Sequence, residues 1–257
     1  MARSHDALAS VAAARLRELH VPGKPLVLPN VWDADSARSA VAAGFPVVAT
    51  SSVAVAESLG YSDGENAPVD DMFDAASRIM RAVDVPVTVD VEAGYGLAAA
   101  ELVDRLLGMG AAGCNIEDTD HEHGCLRNPG EHAELLAAIR QHAGANLVIN
   151  ARVDSFLYAS DESTALPDAV ERARCYVKAG VDCVYPIHAV SRESITAIVT
   201  AISPTAVNTT YLPGAQDVAG MTGLGVTRIS LGAGLWRAGQ RRLRDTLEAM
   251  SKGTMPY

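Results

Sequence analysis

Two acids close the apolar run Pro86-Val-Thr-Val-Asp-Val-Glu-Ala-Gly-Tyr-Gly96, and two more close the run Cys114-Asn-Ile-Glu-Asp118. Asp90 and Glu92 stand two residues apart, so on a strand both side chains face the same way. Like charges at a strand mouth repel unless a cation or a proton lies between them. Asp90, Glu92 and Glu117 at neighbouring strand ends therefore form a hard, oxygen-rich set. Oxygen ligands of this kind suit Mg²⁺ or Mn²⁺ better than Zn²⁺. Helix capping would explain one such acid, but three adjacent ones poorly, and the pattern points to an enzyme.

Arg152, in Asn150-Ala-Arg-Val-Asp154, can grip a substrate carboxylate bidentately or pair with Glu117 or Asp154. Cys125 is a candidate acid/base in a segment that also holds His121 and His123. His123 could favour its thiolate. The same three residues suggest a zinc site, but no fourth ligand is evident. His188 reads as a strand-end histidine, and Gly232-Ala-Gly234 as a helix cap more than an anion cradle. The three lysines, Lys24, Lys178 and Lys252, lie away from the strand ends where a Schiff-base aldolase needs one. A metal-stabilised enolate is the remaining route to the same bond cleavage.

These residues must be positioned by the elements around them. Apolar runs at 26–31, 46–51, 86–91, 113–117, 147–152, 183–186, 206–209 and 227–231 read as strands. Helical stretches follow at 35–43, 69–83, 98–109, 131–142, 165–179, 192–201, 215–222 and 235–250, with a further helix over 5–19 ahead of the first strand. Continuous rather than alternating apolar strands imply a parallel sheet buried on both faces. Glycines just past several helices, such as Gly44, Gly110 and Gly180, supply left-handed caps. Eight such units predict an α/β fold: a single (β/α)8 TIM-type barrel over residues 1–257 with an extra N-terminal helix. An open doubly wound sheet is the alternative. Chemistry in a barrel sits at the C-terminal strand ends. The segments 53–68 and 119–130 are too long for simple connections and read as lids or binding loops.

Composition narrows the partners. The chain has 257 residues, is 49% hydrophobic and carries a net charge of −10. No basic stripe argues for nucleic acid and no apolar run is long enough for a membrane span. An anionic substrate would be repelled at long range, so binding one needs a local cation. Cys114, Cys125, Cys175 and Cys183 form no CxxC pair, and the N-terminus lacks the pattern of a secretory signal. Both features predict a reducing, cytoplasmic setting.

The ordered set Thr50-Ser-Ser, Ser58-Leu-Gly-Tyr-Ser-Asp63, Asp90-Val-Glu-Ala-Gly-Tyr-Gly96, Asn115-Ile-Glu-Asp118 and Asn150-Ala-Arg-Val-Asp154 resembles the isocitrate lyase and phosphoenolpyruvate mutase superfamily. The likeness runs from about Leu26 to Leu235. It implies a (β/α)8 barrel that binds Mg²⁺ and small α-keto carboxylates and handles a pyruvate-enolate-like species. By resemblance, Asp90 is the direct metal ligand, and Glu92 and Glu117 act through metal-bound waters with Asp63 in the same network. Thr50, Ser51 and Ser52 would hold the substrate carboxylate through backbone N–H groups. Arg152 would neutralise substrate charge, and Asn208 and Thr209 would contact a distal group. Lyases of this superfamily carry a Lys-Lys/Arg-Cys-Gly-His loop after strand four, whereas this chain reads His123-Gly-Cys125-Leu-Arg127. Cys125 keeps the spacing from Glu117 while its flanks differ, and the mutase Asp-Lys and Asn-Ser patterns are absent. The resemblance thus implies a divergent branch with C–C lyase chemistry. Oxaloacetate decarboxylation, a phosphonopyruvate P–C reaction and a non-catalytic metabolite-binding barrel are the alternatives. It also implies a homo-oligomer, dimer or tetramer.

Overall fold

A computed structural model describes residues 2–256, with side chains from residue 10 onward. Its main sheet is wholly parallel and closes on itself. The strands are β1 (Leu26–Leu28), β2 (Asn30–Val31), β3 (Val48–Thr50), β4 (Val87–Asp90), β5 (Gly113–Glu117), β8 (Val148–Val153), β9 (Cys183–Pro186), β10 (Ala206–Thr210) and β11 (Arg228–Ser230). A hairpin of β6 (Thr119–Asp120) and β7 (Cys125–Leu126) stands apart. The order β1-β11-β10-β9-β8-β5-β4-β3-β2 becomes a ring because β1 and β2 are one strand interrupted at Pro29, which has no N–H to donate. Its first half pairs with β11 and its second with β3. The protein is a (β/α)8 barrel.

The helices are α1 (Ala2–Glu18), α2 (Ala34–Ala42), α3 (Ser52–Leu59), α4 (Val69–Met80), α5 (Ala99–Met109), α6 (Pro129–Ala143), α7 (Ser155–Tyr158), α8 (Glu162–Lys178), α9 (Arg192–Ile202), α10 (Val218–Gly223) and α11 (Gly234–Ser251). None of the described helices is long and apolar enough to cross a membrane. The outer core packs buried side chains of α5, α6, α8 and α9, such as Leu106, Leu136, Tyr176 and Ile198, on strand residues such as Ile116 and Ile149. At the opposite end from the site, α1 plugs the barrel with Ala13 and Leu16 against Leu26, Leu28, Val47 and Val148. Arg17 locks that plug by donating to Asp182 at 2.6 Å and to the Leu147 carbonyl at 2.8 Å. Gly113 is required there, because a Cβ would stand 2.7 Å from the Val148 carbonyl oxygen and 3.1 Å from Leu16.

Two expectations change. The segment 53–68, read as one long loop, begins as a helix. Ser51 caps α3 by accepting from the Ala54 N–H at 3.4 Å, the run Val53-Ala-Val-Ala56 packs inward, and Gly60 ends the helix at φ 91°. The segment 119–130 is the β6–β7 hairpin leading into α6, whose cap Asn128 accepts from Gly130 N–H. A hairpin in a twelve-residue span carries too little apolar periodicity to stand out in a sequence.

Candidate active site

Alternation along the strands sends Asn30, Ser51, Asp90, Asn115, Arg152, Tyr185, Thr210 and Ser230 into the C-terminal mouth of the barrel, where they line one cavity of about 330 Å³. Its upper wall holds His188, Tyr211, Gly232 to Gly234, Arg237 and Arg241. Among the described residues, the four non-glycine positions at positive φ, Glu65 (59°), Glu92 (49°), Tyr95 (55°) and His188 (64°), all sit at this end. Such conformations cost about 1–3 kcal/mol each and persist where surrounding structure enforces them.

Asp90 ends β4. Its backbone N–H donates to Thr50 Oγ1 at 2.8 Å, and its carboxylate accepts long bonds of 3.4 Å from the Ser52 and Glu92 N–H groups. Burial pushes its carboxyl above the usual range, Arg152 pulls it back, and Asp63 pushes it up again. Glu92 is buried. One of its oxygens accepts from the Gly64 N–H at 2.9 Å and from the Glu65 N–H, while Oε1 has no partner. Burial raises it to about 7, the Glu65 N–H opposes, and the charges of Asp63, Asp90 and Glu117 add to the rise. Glu117 pairs with Arg152 and with His121 Nε2, and burial pushes it up to about 7 against both. Asp63 lies on the exposed loop above. None of Asp90, Glu92 and Glu117 serves as a helix cap.

Arg152 pairs with both Glu117 and Asp154, so each of the two partners weighed from sequence is taken. Its Nε and Nη2 donate to the Asp154 carboxylate at 2.6 and 2.7 Å. Asp154 is itself held by Thr119 Oγ1 at 2.6 Å, and its N–H donates to Asp118. Asp118 in turn accepts from Tyr176 and Arg172. This buried chain fixes the guanidinium plane at the cavity edge but leaves its charge shared between two carboxylates. Arg237 and Arg241, four residues apart on α11, make no ion pair among the described residues. They are exposed on the cavity wall and were not singled out from the sequence.

The structure separates other candidates. Thr50 supports Asp90 through its hydroxyl and does not line the cavity, whereas Ser51, Ser52 and Val53 open α3 towards it. Thr209 is a correction. Its hydroxyl donates to Met221 Sδ at 3.3 Å, on the helix side of the sheet, and the inward position belongs to Thr210. Asn208 points inward but is closed off by mutual hydrogen bonds with Ser230, at 2.9 and 3.1 Å. Cys125 is exposed on the hairpin and does not line the cavity. The zinc reading of His121, His123 and Cys125 fails, because His121 turns to Glu117 and His123 to Asp120 at 2.9 Å.

No three His, Cys, Asp or Glu side chains among the described residues converge closely enough to grip an ion directly. The donor set fits a divalent cation held by one carboxylate with the others acting through water. The Asp90 carboxylate carries only long hydrogen bonds, Glu92 Oε1 is a buried orphan, and of the three raised acids only Asp90 and Glu117 feel Arg152.

Residues 16–251 match the family model for phosphoenolpyruvate phosphomutase. The chain belongs to the isocitrate lyase/phosphoenolpyruvate mutase superfamily. A 2-methylisocitrate lyase of Halalkalibacterium halodurans is 30% identical over 88% of this chain and 73% of its own. An oxaloacetate decarboxylase of Rhodopseudomonas palustris is 32% identical over 88% of this chain and 81% of its own. The crystal structure of 2,3-dimethylmalate lyase superposes with a TM-score of 0.83 at 24% identity, covering 95% of this chain and 86% of that one, a likeness of fold. Superfamily membership brings lyase or mutase chemistry with it.

Proposed function

We propose that this protein is a divalent-metal-dependent carbon–carbon lyase acting on a small α-keto or α-hydroxy di- or tricarboxylate. The observation that carries the reading is Asp90 beside the N-terminus of α3, in a cavity that also holds two uncompensated arginines. Asp90 would hold Mg²⁺ or Mn²⁺, with Glu92 and Glu117 reached through water. The cation, when bound, would polarise a substrate keto or hydroxyl oxygen. The first N–H groups of a helix favour a carboxylate, so Ser52 and Val53 would hold the substrate's near end. Arg152 would offset the charge that develops on the enolate oxygen as the bond breaks, where stabilisation increases rate most. Arg237 and Arg241 would take a second carboxylate. Cys125 reaches the reacting carbon only if the β6–β7 hairpin folds over the cavity, which would also exclude water.

Oxaloacetate decarboxylation is the second reading, favoured by the likeness to the decarboxylase. A Mg²⁺-dependent screen on oxaloacetate, isocitrate, methylisocitrate, malate derivatives and phosphonopyruvate distinguishes the readings. Glyoxylate with succinate from isocitrate, or pyruvate with a second carboxylate fragment from methylisocitrate or a malate derivative, supports the lyase; pyruvate with CO₂ from oxaloacetate, or pyruvate with phosphate from phosphonopyruvate, as the sole product pair overturns it. Self-association is proposed from α11, which buries no residue of its own yet exposes Leu243 and Leu247. A cytoplasmic setting accords with four free cysteines.

A further inference from the structure

The floor of the cavity holds a device that the proposed chemistry above does not use. Arg228, inward-facing on β11, is wholly buried in the barrel. No carboxylate pairs with it among the described residues. Its Nη2 donates to Asn115 Oδ1 at 3.0 Å, while Nε and Nη1 have no partner. Asn150 Nδ2 donates to the same Asn115 oxygen at 2.8 Å. A guanidinium has only donors. A flipped Asn115 would set its NH₂ against them, so Arg228 locks the amide with its oxygen downward. The Asn115 NH₂ is then left on the other side. Asn115 lines the cavity and is the register neighbour of Asp90.

The structure assigns Asn115 as a donor to an anionic substrate oxygen on the cavity floor, and Arg228 as the positioning residue that aims it. The ligand class is a carboxylate or enolate oxygen that reaches down the barrel axis beside Asp90. Arg228 also places a full positive charge one layer below that oxygen, without presenting a cation that water or a second acid could quench. This explains why the barrel tolerates a buried guanidinium with two unfilled donors, an arrangement that costs stability. The assignment rests on the carboxylate reading for its ligand, whereas the contact between Arg228 and Asn115 does not.

The test uses the intact protein with oxalate and Mg²⁺, following Kd by calorimetry, together with thermal midpoints of the free protein. Asn115→Asp keeps an acceptor towards Arg228 and Asn150 but turns the cavity-facing donor into an acceptor. It is expected to hold or raise the midpoint, by pairing with Arg228, while weakening oxalate about ten- to a hundredfold, the scale of a charge-assisted hydrogen bond. Arg228→Met removes an uncompensated buried charge, so its midpoint is expected to hold or rise while oxalate weakens about tenfold. A purely structural arginine would show the reverse: a lower midpoint with unchanged affinity. The double variant Asn115→Asp, Arg228→Met leaves a buried carboxylate unpaired and should melt below either single variant. Unchanged oxalate affinity in either single variant overturns the donor role. Additive midpoints in the double variant overturn the contact. Loss of all wild-type oxalate binding with that coupling intact would overturn the carboxylate reading and leave the locked amide standing.

Discussion

Acid should destabilise this protein through a buried histidine that does not line the cavity. His132, on α6, is 1% exposed, and both its ring nitrogens lack partners. Its ring meets Tyr176 edge-on at 5.0 Å. Burial, with Arg127 and Arg172 nearby, lowers its pKa from 6.5 to about 3, and Asp154 offsets this only partly. The folded state therefore refuses a proton that the unfolded chain accepts. Between those two values the unfolded state binds more protons, so stability falls as pH falls. At about pH 5, some 1.5 units below the unfolded value, the loss is about 2 kcal/mol. His132→Phe keeps a ring against Tyr176 and removes the titration. Urea unfolding of both proteins at about pH 7 and about pH 5 isolates the effect, because contributions from all other groups cancel in the difference. The wild type should lose about 2 kcal/mol more than the variant between the two conditions. Equal losses would refute the reasoning and show that the folded protein admits a charged imidazole at this site.

Three further outcomes follow from the geometry. Asp90→Asn should abolish measurable Mg²⁺ binding in calorimetry, and retained affinity would remove Asp90 as the direct ligand. Substituting glutamine for Arg237 or Arg241 should weaken tricarballylate about fivefold each, the scale of an exposed ion pair, while leaving oxalate untouched; equal effects on both ligands would place these arginines outside the distal subsite. Gly113→Ala should lower stability by about 1–3 kcal/mol in denaturant unfolding, since its methyl meets backbone rather than a yielding side chain. A neutral result there would mean that α1 and β8 separate without cost.

Local patterns carried most of the architecture. Apolar runs, several of them preceded by a glycine cap, marked every barrel strand to within two residues, because burial on both faces and left-handed caps are requirements of the segment itself. The acids at 90, 92 and 117 were legible for the same reason: strand alternation and strand-end position depend only on neighbouring residues. Alternation also bounds Asn208 and Thr209, which cannot both face inward. Which of them does is a matter of register, and a one-residue shift exchanges the faces. Here β10 pairs with β11 so that Thr210, not Thr209, reaches the cavity. Tertiary structure alone decided that Arg152 divides its charge between Glu117 and Asp154, that His121 closes on Glu117 while Cys125 stays on the surface, and that Arg228 meets Asn115 across 113 residues of chain. The last of these contacts joins strands that face each other across the axis only when the ring closes, and the Arg152–Glu117 pair needs β5 and β8 laid side by side. No local propensity encodes these two contacts, and they determine where the donors of this site point.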